Sequence, residues 1–337
     1  MTVRSRSPLR VSFGGGGTDV SPYCDERGGA VLSATIDRYA YATVEPGDDL
    51  ITVESIDYDV SIAYALDEEF VYDGQLDLAK AVIDRFRTDH GLAGGMRIRL
   101  HNDAPPGSGL GSSSAICVAL AGALAAHLGV RMDSHALAEL AYRIERVDAG
   151  IKGGRQDQYA SAFGGFNFIE FGRAGTVVEP LQLAADTLCE LEYALVFAYV
   201  GGQHFSSHII ERQISNFERG ETAAVEAMDR IKELAYEMRR VLHAGDVATF
   251  GHLLDSGWQA KKRMADGISN PRIDAVYATA RDAGALGGKV SGAGGGGFMF
   301  FVTDPARRFA VQDALREQGA ELVNFTFVEE GMRAWTV

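Results

Sequence analysis

The residues best suited to chemistry in this chain form a loop of glycine and serine, from Pro105 to Ala115, with the sequence Pro-Pro-Gly-Ser-Gly-Leu-Gly-Ser-Ser-Ser-Ala. Gly107, Gly109 and Gly111 let the backbone approach a ligand closely and adopt positive φ angles. The apolar residues 115–128 predict a helix directly after the loop, and the N–H groups at a helix N-terminus bind anions. We interpret the loop as a phosphate-binding site rather than a linker, because linkers do not run directly into buried helices.

The loop also differs from the nucleotide-binding loop of the G-x-x-x-x-G-K-[ST] type, because it contains no lysine. The cation that neutralises the phosphates must therefore come from elsewhere in the chain. The hydroxyls of Ser112, Ser113 and Ser114 are placed to cap the helix, to bond a phosphate oxygen, or to reach a metal ion held by that phosphate.

The length and charge of the chain narrow the classes of protein to which it can belong. Its 337 residues fit one large or two medium domains, and the net charge of −14 argues against nucleic acid or an anionic membrane as the main partner. Three widely spaced cysteines, Cys24, Cys117 and Cys189, indicate neither a disulfide framework nor a zinc site. No apolar run of signal-peptide length follows the arginines at the N-terminus, and the apolar run at 115–128 is shorter than the roughly 20 residues that a membrane span needs. Together with the cysteine pattern, this leads us to expect a cytoplasmic protein.

The hydrophobic pattern predicts an α/β (α+β) protein. Apolar and β-branched runs predict strands at residues 9–13, 31–36, 39–44, 51–53, 96–100, 167–171, 193–200, 288–291, 298–302 and 321–327. Helical segments are predicted at 76–90, from 112 to about 163 with a glycine-rich break at 150–154, from 206 to about 262, and at 305–318. A change of composition predicts an N-terminal domain of residues 1–185 and a C-terminal domain of residues 186–337.

A second glycine loop, Gly292 to Gly297, matches the pattern G-x-G-x-x-G. A dinucleotide-binding fingerprint requires a helix after the loop, whereas Phe298 to Val302 is an apolar run that predicts a buried strand. The loop is therefore either a glycine hairpin between two strands or a second segment that approaches the phosphates bound by the first loop.

Two further clusters combine glycine with charged residues. Gly14-Gly-Gly-Gly-Thr18-Asp19 follows the first predicted strand, in which Arg10 is an unexpected cation. Asp157 follows the break at 150–154, and Glu145 lies on the preceding predicted helix, with Asp148 on the same face. Taken singly, each of these charges is also consistent with a turn or a solvated surface.

Together the four clusters resemble the GHMP kinase superfamily, small-molecule kinases that include galactokinase, homoserine kinase, mevalonate kinase and phosphomevalonate kinase. Residues 105–114 resemble the family's phosphate loop, Leu9 to Gly14 with Thr18-Asp19 its N-terminal substrate motif, and Lys289 to Gly297 its C-terminal glycine motif. The resemblance implies two α/β domains, an N-terminal domain with a left-handed βαβ crossover and a ferredoxin-like C-terminal domain.

The resemblance also implies roles for individual residues in an ATP- and Mg²⁺-dependent kinase. Ser113 and Glu145 match the Mg²⁺ ligands, with Ser112 or Ser114 as alternatives to Ser113; Asp157 matches the carboxylate that orients or deprotonates the attacking hydroxyl. Arg10 matches a cation beside the transferred phosphoryl group. The residues expected to bind the ATP phosphates are Pro106, Gly107, Ser108, Gly109, Leu110, Gly111, Ser112, Ser113 and Ser114. The residues expected to bind the second substrate are Gly16, Gly17, Thr18, Asp19, Arg155, Gly294 and Gly295.

Within the superfamily, the start of the chain resembles the sugar kinases. Galactokinases carry Gly-Glu-His-Thr-Asp where this chain has Gly15-Gly-Gly-Thr-Asp19, which implies a roomier site. The sequence Gly15-Gly-Gly-Thr-Asp19, together with Trp258-Gln-Ala-Lys-Lys and Ser269-Asn-Pro, most resembles bacterial D-glycero-α-D-manno-heptose 7-phosphate kinases. Those enzymes phosphorylate the anomeric hydroxyl on the route to GDP-heptose for surface polysaccharides. A phosphorylated substrate needs cations of its own. The candidates are Lys152, Arg155, Lys261, Lys262 and Arg263, and Ser206 and Ser207 are further candidate contacts.

The same residues also fit two alternative functions: another anomeric kinase, of the L-fucokinase or galactokinase type, or a non-catalytic sensor of sugar and nucleotide. The expected partners are a small sugar phosphate and ATP, with neither nucleic acid nor membrane, and a homodimer is possible.

Overall fold

Two β-sheets with helices packed against them make up the fold in this computed structural model, which describes residues 1–202 and 206–337. The strands are β1 (Val3–Gly14), β2 (Gly29–Pro46), β3 (Leu50–Ser55), β4 (Val60–Ala65), β5 (Met96–Asn102), β6 (Phe166–Gly172), β7 (Gly175–Pro180), β8 (Leu195–Tyr199), β9 (Ala285–Val290), β10 (Phe298–Thr303), β11 (Glu321–Leu322) and β12 (Arg333–Thr336). The helices are α1 (Tyr23–Arg27), α2 (Asp77–His90), α3 (Ser112–Leu128), α4 (Ser134–Arg143), α5 (Gln156–Phe163), α6 (Ala185–Ala194), α7 (Ser206–Glu218), α8 (Thr222–His243), α9 (Val247–Lys261), α10 (Pro271–Ala283) and α11 (Arg308–Glu317).

The larger sheet has eight strands, with β12, β1, β2, β5, β3 and β4 as neighbours in that order. Strand β6 pairs with the first part of β2, and β7 pairs with β6. All these pairs are antiparallel except β3 with β5. The two strands predicted at 31–36 and 39–44 are one long strand, β2, whose pairing with β1 shifts register between Pro8 and Leu9.

The smaller sheet has four antiparallel strands in the order β11, β8, β10, β9. Every residue of β10 is buried, as the uninterrupted apolar run Phe298–Thr303 predicts for a central strand covered on both faces. Helices α8 and α9 pack against each other, and α9 lies on β9 and β10. The architecture confirms the predicted α/β (α+β) fold class.

Helix α3 is the element that holds the phosphate loop in place. Its residues from Ser114 to Ala125 are buried with the exception of Ile116, because the helix is apolar on nearly every face. It packs against β1, β2, α2, α4 and α5. A helix enclosed in this way presents its N-terminus to the site in a fixed position.

Several elements were not predicted. Helices α1, α6 and α10 and strands β4, β7 and β12 were missed. Asn270 nevertheless caps α10 and Pro271 begins it, which is a recognised start signal. The strand predicted at 321–327 is only two residues long, with one further bridge between Ile36 and Phe327. Strand β12 pairs with β1, so the end of the chain lies in the larger sheet; the division at residues 185 and 186 stays a prediction.

None of the helices described for residues 1–202 and 206–337 combines the length and hydropathy that a bilayer crossing requires.

Candidate active site

Most of the predicted site residues line a cleft of about 550 Å³. The phosphate loop and the start of α3 form one wall, and the turn after β1, the loop before α5 and the end of α9 form the others. The charged residues that line it are Arg10, Asp19, Glu145, Arg146, Lys152, Asp157 and Lys261.

The phosphate loop has the backbone geometry that its glycines predict. Gly107, Gly109 and Gly111 have φ angles of 76°, 80° and 74°. A methyl group at Gly109 would lie 2.4 Å from the carbonyl oxygen of Ser291, so the second glycine loop packs directly on the first. Among the described residues no side chain caps α3, which leaves the N–H groups of its first turn for an anion.

Seven of the nine residues predicted to bind the ATP phosphates line the cleft, and two face the protein interior. The seven are Pro106, Gly107, Gly109, Gly111, Ser112, Ser113 and Ser114. Ser108 and Leu110 are buried, and their backbone oxygens accept hydrogen bonds from Phe298 and Arg10. These two residues therefore join the loop to β10 and β1.

Arg10 and Asp157 form an ion pair beside the loop. The guanidinium Nε donates to Asp157 Oδ1 at 2.7 Å, Nη2 lies at the same distance from that oxygen, and Nη1 donates to the carbonyl of Gly109 at 2.6 Å. The Arg10 side chain is only 4% exposed and that of Asp157 is 20% exposed. The pair therefore fixes the start of α5 against both β1 and the phosphate loop.

Glu145 lies under the first turn of α3 with its carboxylate fully engaged. Ser113 and Ser114 donate to Oε1 and Oε2 at 3.1 and 2.6 Å, and the Gln158 amide donates to Oε2 at 2.5 Å. The residue belongs to a short π-helix, Ile144–Asp148, that continues α4, and such turns recur at functional sites. The predicted alternative on this face, Asp148, is held by Arg85 through two hydrogen bonds of 2.9 and 2.5 Å.

The donor set at Glu145 suits magnesium. Mg²⁺ prefers oxygen ligands and is commonly bound by one or two carboxylates together with substrate phosphates. One buried carboxylate with two hydroxyls, at the edge of a phosphate loop, has that composition. Within the described chain no group of three or more His, Cys, Asp or Glu side chains forms a metal site by itself. The bound phosphates would have to complete the coordination.

Arg146 is a site residue that the sequence did not reveal. Its Nε donates to the carbonyl of Gly154 at 3.1 Å and its Nη1 to that of Ile151 at 3.2 Å. Nη1 also lies 3.3 Å from Glu145 Oε1. Because a methyl group at Gly153 would lie 2.3 Å from its Cζ, Arg146 holds the glycine-rich break tightly against Glu145.

Asp19 is held rigidly at the opposite wall. Its Oδ1 accepts from the Gly17 N–H at 2.9 Å and from Gln156 Nε2 at 3.1 Å, and its Oδ2 accepts from the Gln156 N–H at 3.1 Å. Gly16 and Gly17 also line the cleft. Thr18 lies outside the lining, because its buried hydroxyl donates to the carbonyl of Gly15 and shapes the turn.

Of the remaining residues predicted to contact the substrate, some line the cleft and the others lie outside it. Lys152, Ser207 and Lys261 line the cleft, as do Gly292 and Ala293 of the second glycine loop. The other residues lie outside its lining: Gly294 and Gly295 beside Ile268, Arg155 on Asp25 and Tyr142, Lys262 near Asp274, and Arg263 near Glu226. The side chain of Ser206 falls outside the described residues.

Two buried lysines stand close to the reacting groups. The Lys261 ammonium donates to the carbonyl of Gly292 at 2.7 Å. Burial lowers the pKa of Lys261 to about 8, although Asp19 and Asp157 favour its charged form. Lys289 donates to the carbonyl of Ser12 at 2.7 Å, and burial together with the charges of Lys261 and Arg10 lowers its pKa well below the usual value.

A helix N-terminus behind a glycine loop, a fixed arginine beside a carboxylate, and a second carboxylate under serine hydroxyls are the parts of a phosphoryl-transfer site. Family models agree with that class. The model described as GHMP kinases N terminal domain matches residues 77–165, and the one described as GHMP kinases C terminal matches residues 224–321. The chain belongs to the GHMP kinase family.

Several known proteins are similar to this chain over its whole length. A D-glycero-alpha-D-manno-heptose 7-phosphate kinase of Campylobacter jejuni is 37% identical over 339 residues, covering 100% of this chain and 99% of its own. The solved structure of a D-glycero-D-manno-heptose 1-phosphate kinase from Bacteroides thetaiotaomicron is 36% identical, with a TM-score of 0.83 and 99% of each chain covered. That of a putative sugar kinase from Campylobacter jejuni is 36% identical, with a TM-score of 0.80 and 100% and 98% covered.

Proposed function

We propose that the protein transfers the γ-phosphoryl group of ATP to the anomeric hydroxyl of D-glycero-α-D-manno-heptose 7-phosphate, a step towards GDP-heptose. The observation that carries the reaction type is the Arg10 and Asp157 pair, fixed by Gly109 at the phosphate loop. The choice of sugar is supported by the likeness, along the full chain, to the Campylobacter jejuni heptose 7-phosphate kinase.

In the proposed reaction the loop backbone and the first turn of α3 hold the ATP phosphates. Arg10 binds Asp157 Oδ1, whereas no described residue donates a hydrogen bond to Oδ2. Oδ2 therefore accepts the hydrogen bond of the attacking hydroxyl. The bond from the anomeric oxygen to the γ-phosphorus forms while the proton of that hydroxyl passes to Asp157 Oδ2. The bond from the same phosphorus to the β,γ-bridging oxygen breaks, and ADP leaves with that electron pair. Arg10 stabilises the charge that develops on the transferred group.

Ser113 and Glu145 are the proposed ligands of Mg²⁺, with Ser114 and Gln158 holding the second carboxylate oxygen. When bound there, the ion supplies positive charge that neutralises the ATP phosphates and orients them.

A sensor that only binds sugar and nucleotide is the rival function. Binding alone would not require Asp157, Glu145 and Arg10 to converge on one cleft, whereas a transition state does. Because the reaction consumes ATP, we place the protein in the cytoplasm; a homodimer stays a prediction.

Asp19 is the proposed anchor for sugar hydroxyls, and Gly154 offers a test of that role. A methyl group at Gly154 would lie 1.9 Å from Asp19 Oδ2, so Gly154→Ala must displace this carboxylate. Losing one or two hydrogen bonds to a charged group is expected to raise the KM for the sugar by about tenfold or more. Steady-state kinetics should show this with the KM for ATP nearly unchanged. Gly172→Ala, where a methyl group meets open space, is the control, and a sugar KM equal in both variants would contradict the role.

The proposed sugar is tested by the preference for a phosphorylated substrate. Lys152 lines the cleft with an exposed side chain, which suits it to the phosphate already on the sugar. We expect a kcat/KM for heptose 7-phosphate at least ~100-fold above that for unphosphorylated heptose, mannose, galactose or fucose. A sugar without a phosphate leaves the cations of the site unpaired, which weakens its binding in the transition state.

A coupled assay that measures ADP release across this set of sugars gives the ratio, and Lys152→Met should reduce it. A free hexose preferred over every sugar phosphate would overturn the heptose assignment and leave a sugar kinase of another specificity.

A further inference from the structure

Lys261 is a buried cation that the scheme above does not use. It is the last residue of α9 and is only 4% exposed. Its ammonium makes one hydrogen bond, to the carbonyl of Gly292, and within residues 1–202 and 206–337 no carboxylate lies within ion-pair distance of it. An ammonium taken out of water without an anionic partner costs free energy, so the protein retains this group at the expense of stability.

The neighbours of Lys261 place it at the reacting end of the cleft. A methyl group at Gly292, whose carbonyl it binds, would lie 2.9 Å from the Gly109 Cα. The carbonyl of Gly109 in turn accepts from Arg10 Nη1 at 2.6 Å and from Ser291 Oγ at 2.9 Å. Lys261 and Arg10 therefore each bind a backbone carbonyl where the two glycine loops pack together.

The Lys261 ammonium also lies near the turn that follows β1, which carries Asp19, the proposed anchor for the sugar. A methyl group at Gly16 would lie 3.6 Å from Lys261 Nζ, 3.6 Å from Gln156 Nε2 and 3.2 Å from Ser12 Oγ, a hydroxyl oxygen that has no hydrogen-bond partner in the described chain. Lys261 thus stands between the phosphate loop and the turn that carries Asp19.

We propose that Lys261 is a further catalytic residue, whose ammonium binds an oxygen of the phosphoryl group during its transfer to the sugar. The proposal rests on the kinase function proposed above. As the bond from the sugar oxygen to phosphorus forms and the bond to the leaving ADP oxygen breaks, negative charge on the phosphoryl oxygens and the leaving oxygen is balanced by Lys261 and Arg10 together. Lys261 itself forms no covalent bond and gives up no proton.

The alternative anion is the phosphate that the sugar already carries. In a heptose 7-phosphate that group is at the opposite end of the carbon chain from the anomeric oxygen. Lys261 instead binds the carbonyl of Gly292, a residue that packs on Gly109 where Arg10 is bound, and the charges of Arg10 and Asp157 act on its ammonium. The exposed Lys152 belongs to the glycine-rich break at 150–154.

The test compares Lys261→Met with the control Lys262→Met. Lys262 is the neighbouring lysine; it lies outside the cleft, over the Trp258 ring and near Asp274. Removing one donor to a developing charge costs about a hundredfold or more in kcat. We expect that loss in Lys261→Met, with the KM for the sugar phosphate changed less than about threefold and the same loss of kcat on unphosphorylated heptose. Lys262→Met should behave as wild type.

Two results would overturn the inference: a kcat within about threefold of wild type, or a defect confined to the phosphorylated sugar. The second would show that Lys261 holds the phosphate already present. Inactivity of the wild-type enzyme on every sugar phosphate would be a different failure, because it would remove the proposed function itself.

The pH dependence of kcat/KM distinguishes a catalytic role of Lys261 from a purely structural one. The charged groups that face Lys261 are Asp19, Asp157, Arg10 and Lys289. With its pKa lowered to about 8, the ammonium loses its proton as the pH rises, so the wild-type kcat/KM should fall above about pH 8. The residual activity of Lys261→Met should lack that decline, and a decline that persists in the variant would contradict the role.

Stability provides a second independent check. Because methionine fills the same space without a charge, Lys261→Met is expected to raise the Tm of the protein while it abolishes most of the activity. A variant that is inactive because it is poorly folded would show the opposite change of Tm, and the inference would then lose its support.

Discussion

Asp157→Asn is expected to lower kcat by about a hundredfold or more, with the affinity for ATP changed by less than a few-fold. The asparagine amide has nearly the same shape, but it carries no charge and accepts the proton of the attacking hydroxyl poorly. ATP binding depends on the loop backbone and on α3, which this substitution leaves in place. Single-turnover kinetics measure the chemical step, and calorimetric titration with a non-hydrolysable ATP analogue measures binding.

The chain offers a matched control in Asp148→Asn. Asp148 and Asp157 are similarly exposed, at 19% and 20%, and each carboxylate is paired with an arginine, Arg85 and Arg10 respectively. Both substitutions therefore remove one partner from a partly buried ion pair, which costs stability in either case. Only Asp157 lines the cleft. Equal losses of kcat in the two variants would show that the effect of Asp157→Asn is structural.

Glu145→Gln is expected to raise the Mg²⁺ concentration that gives half-maximal rate by about tenfold or more, because a metal with few protein ligands depends on each of them. The amide loses the negative charge and cannot accept from Ser113, Ser114 and Gln158 together. Ser113→Ala should shift the requirement in the same direction. The Mg²⁺ dependence of ATP-analogue binding, measured by calorimetry, separates a metal effect from a loss of turnover.

Asp148→Asn serves again as the control for the metal site. Its carboxylate is bound by Arg85 of α2 and does not line the cleft, so the Mg²⁺ requirement should stay as in the wild type. A Mg²⁺ requirement that is raised by Asp148→Asn and unchanged by Glu145→Gln would show that Glu145 is not the carboxylate that binds the metal.

The parts of the site that the sequence predicted are those whose function depends on local backbone geometry. The phosphate loop was readable because three glycines and a following apolar helix form one continuous segment. Arg10, Asp19, Glu145 and Asp157 were recognised through motifs, but their mutual placement required the fold.

Contacts between distant segments were not readable. Nothing in the spacing of Arg85 and Asp148 shows that they pair, and no pattern shows that Arg146 binds the carbonyls of Ile151 and Gly154. Such pairs depend on how α2, the π-helix and the break before α5 pack in three dimensions.

The sequence did indicate that Lys261 is buried, although this is recognised only when the bounds of α9 are known. Phe250, Leu254, Trp258 and Lys261 follow a spacing of four, four and three residues, which places the lysine on the buried face of the helix. Its neighbour Lys262 lies off that face. A charged residue that continues an apolar stripe is thus a better candidate for a functional site than a charged residue on the polar face.

The missed strand β12 and the divided strand β2 show two limits of the hydrophobic pattern. Strand β12 is mostly exposed and short, so it lacks the alternating pattern that predicts a strand, and it is defined by its pairing with β1. Strand β2 was divided in two because the pattern breaks at Asp37 and Arg38, where pairing with β1 shifts register while the strand itself continues.

The position of the new phosphate on the sugar tests the central claim most directly. The purified protein is incubated with ATP, Mg²⁺ and D-glycero-α-D-manno-heptose 7-phosphate, and the product is examined by phosphorus NMR. The account predicts one new phosphate signal coupled to the anomeric proton, with the signal of the 7-phosphate retained and one ADP formed for each sugar converted. A new phosphate on any other carbon, or ADP formed without a phosphorylated sugar, would contradict it.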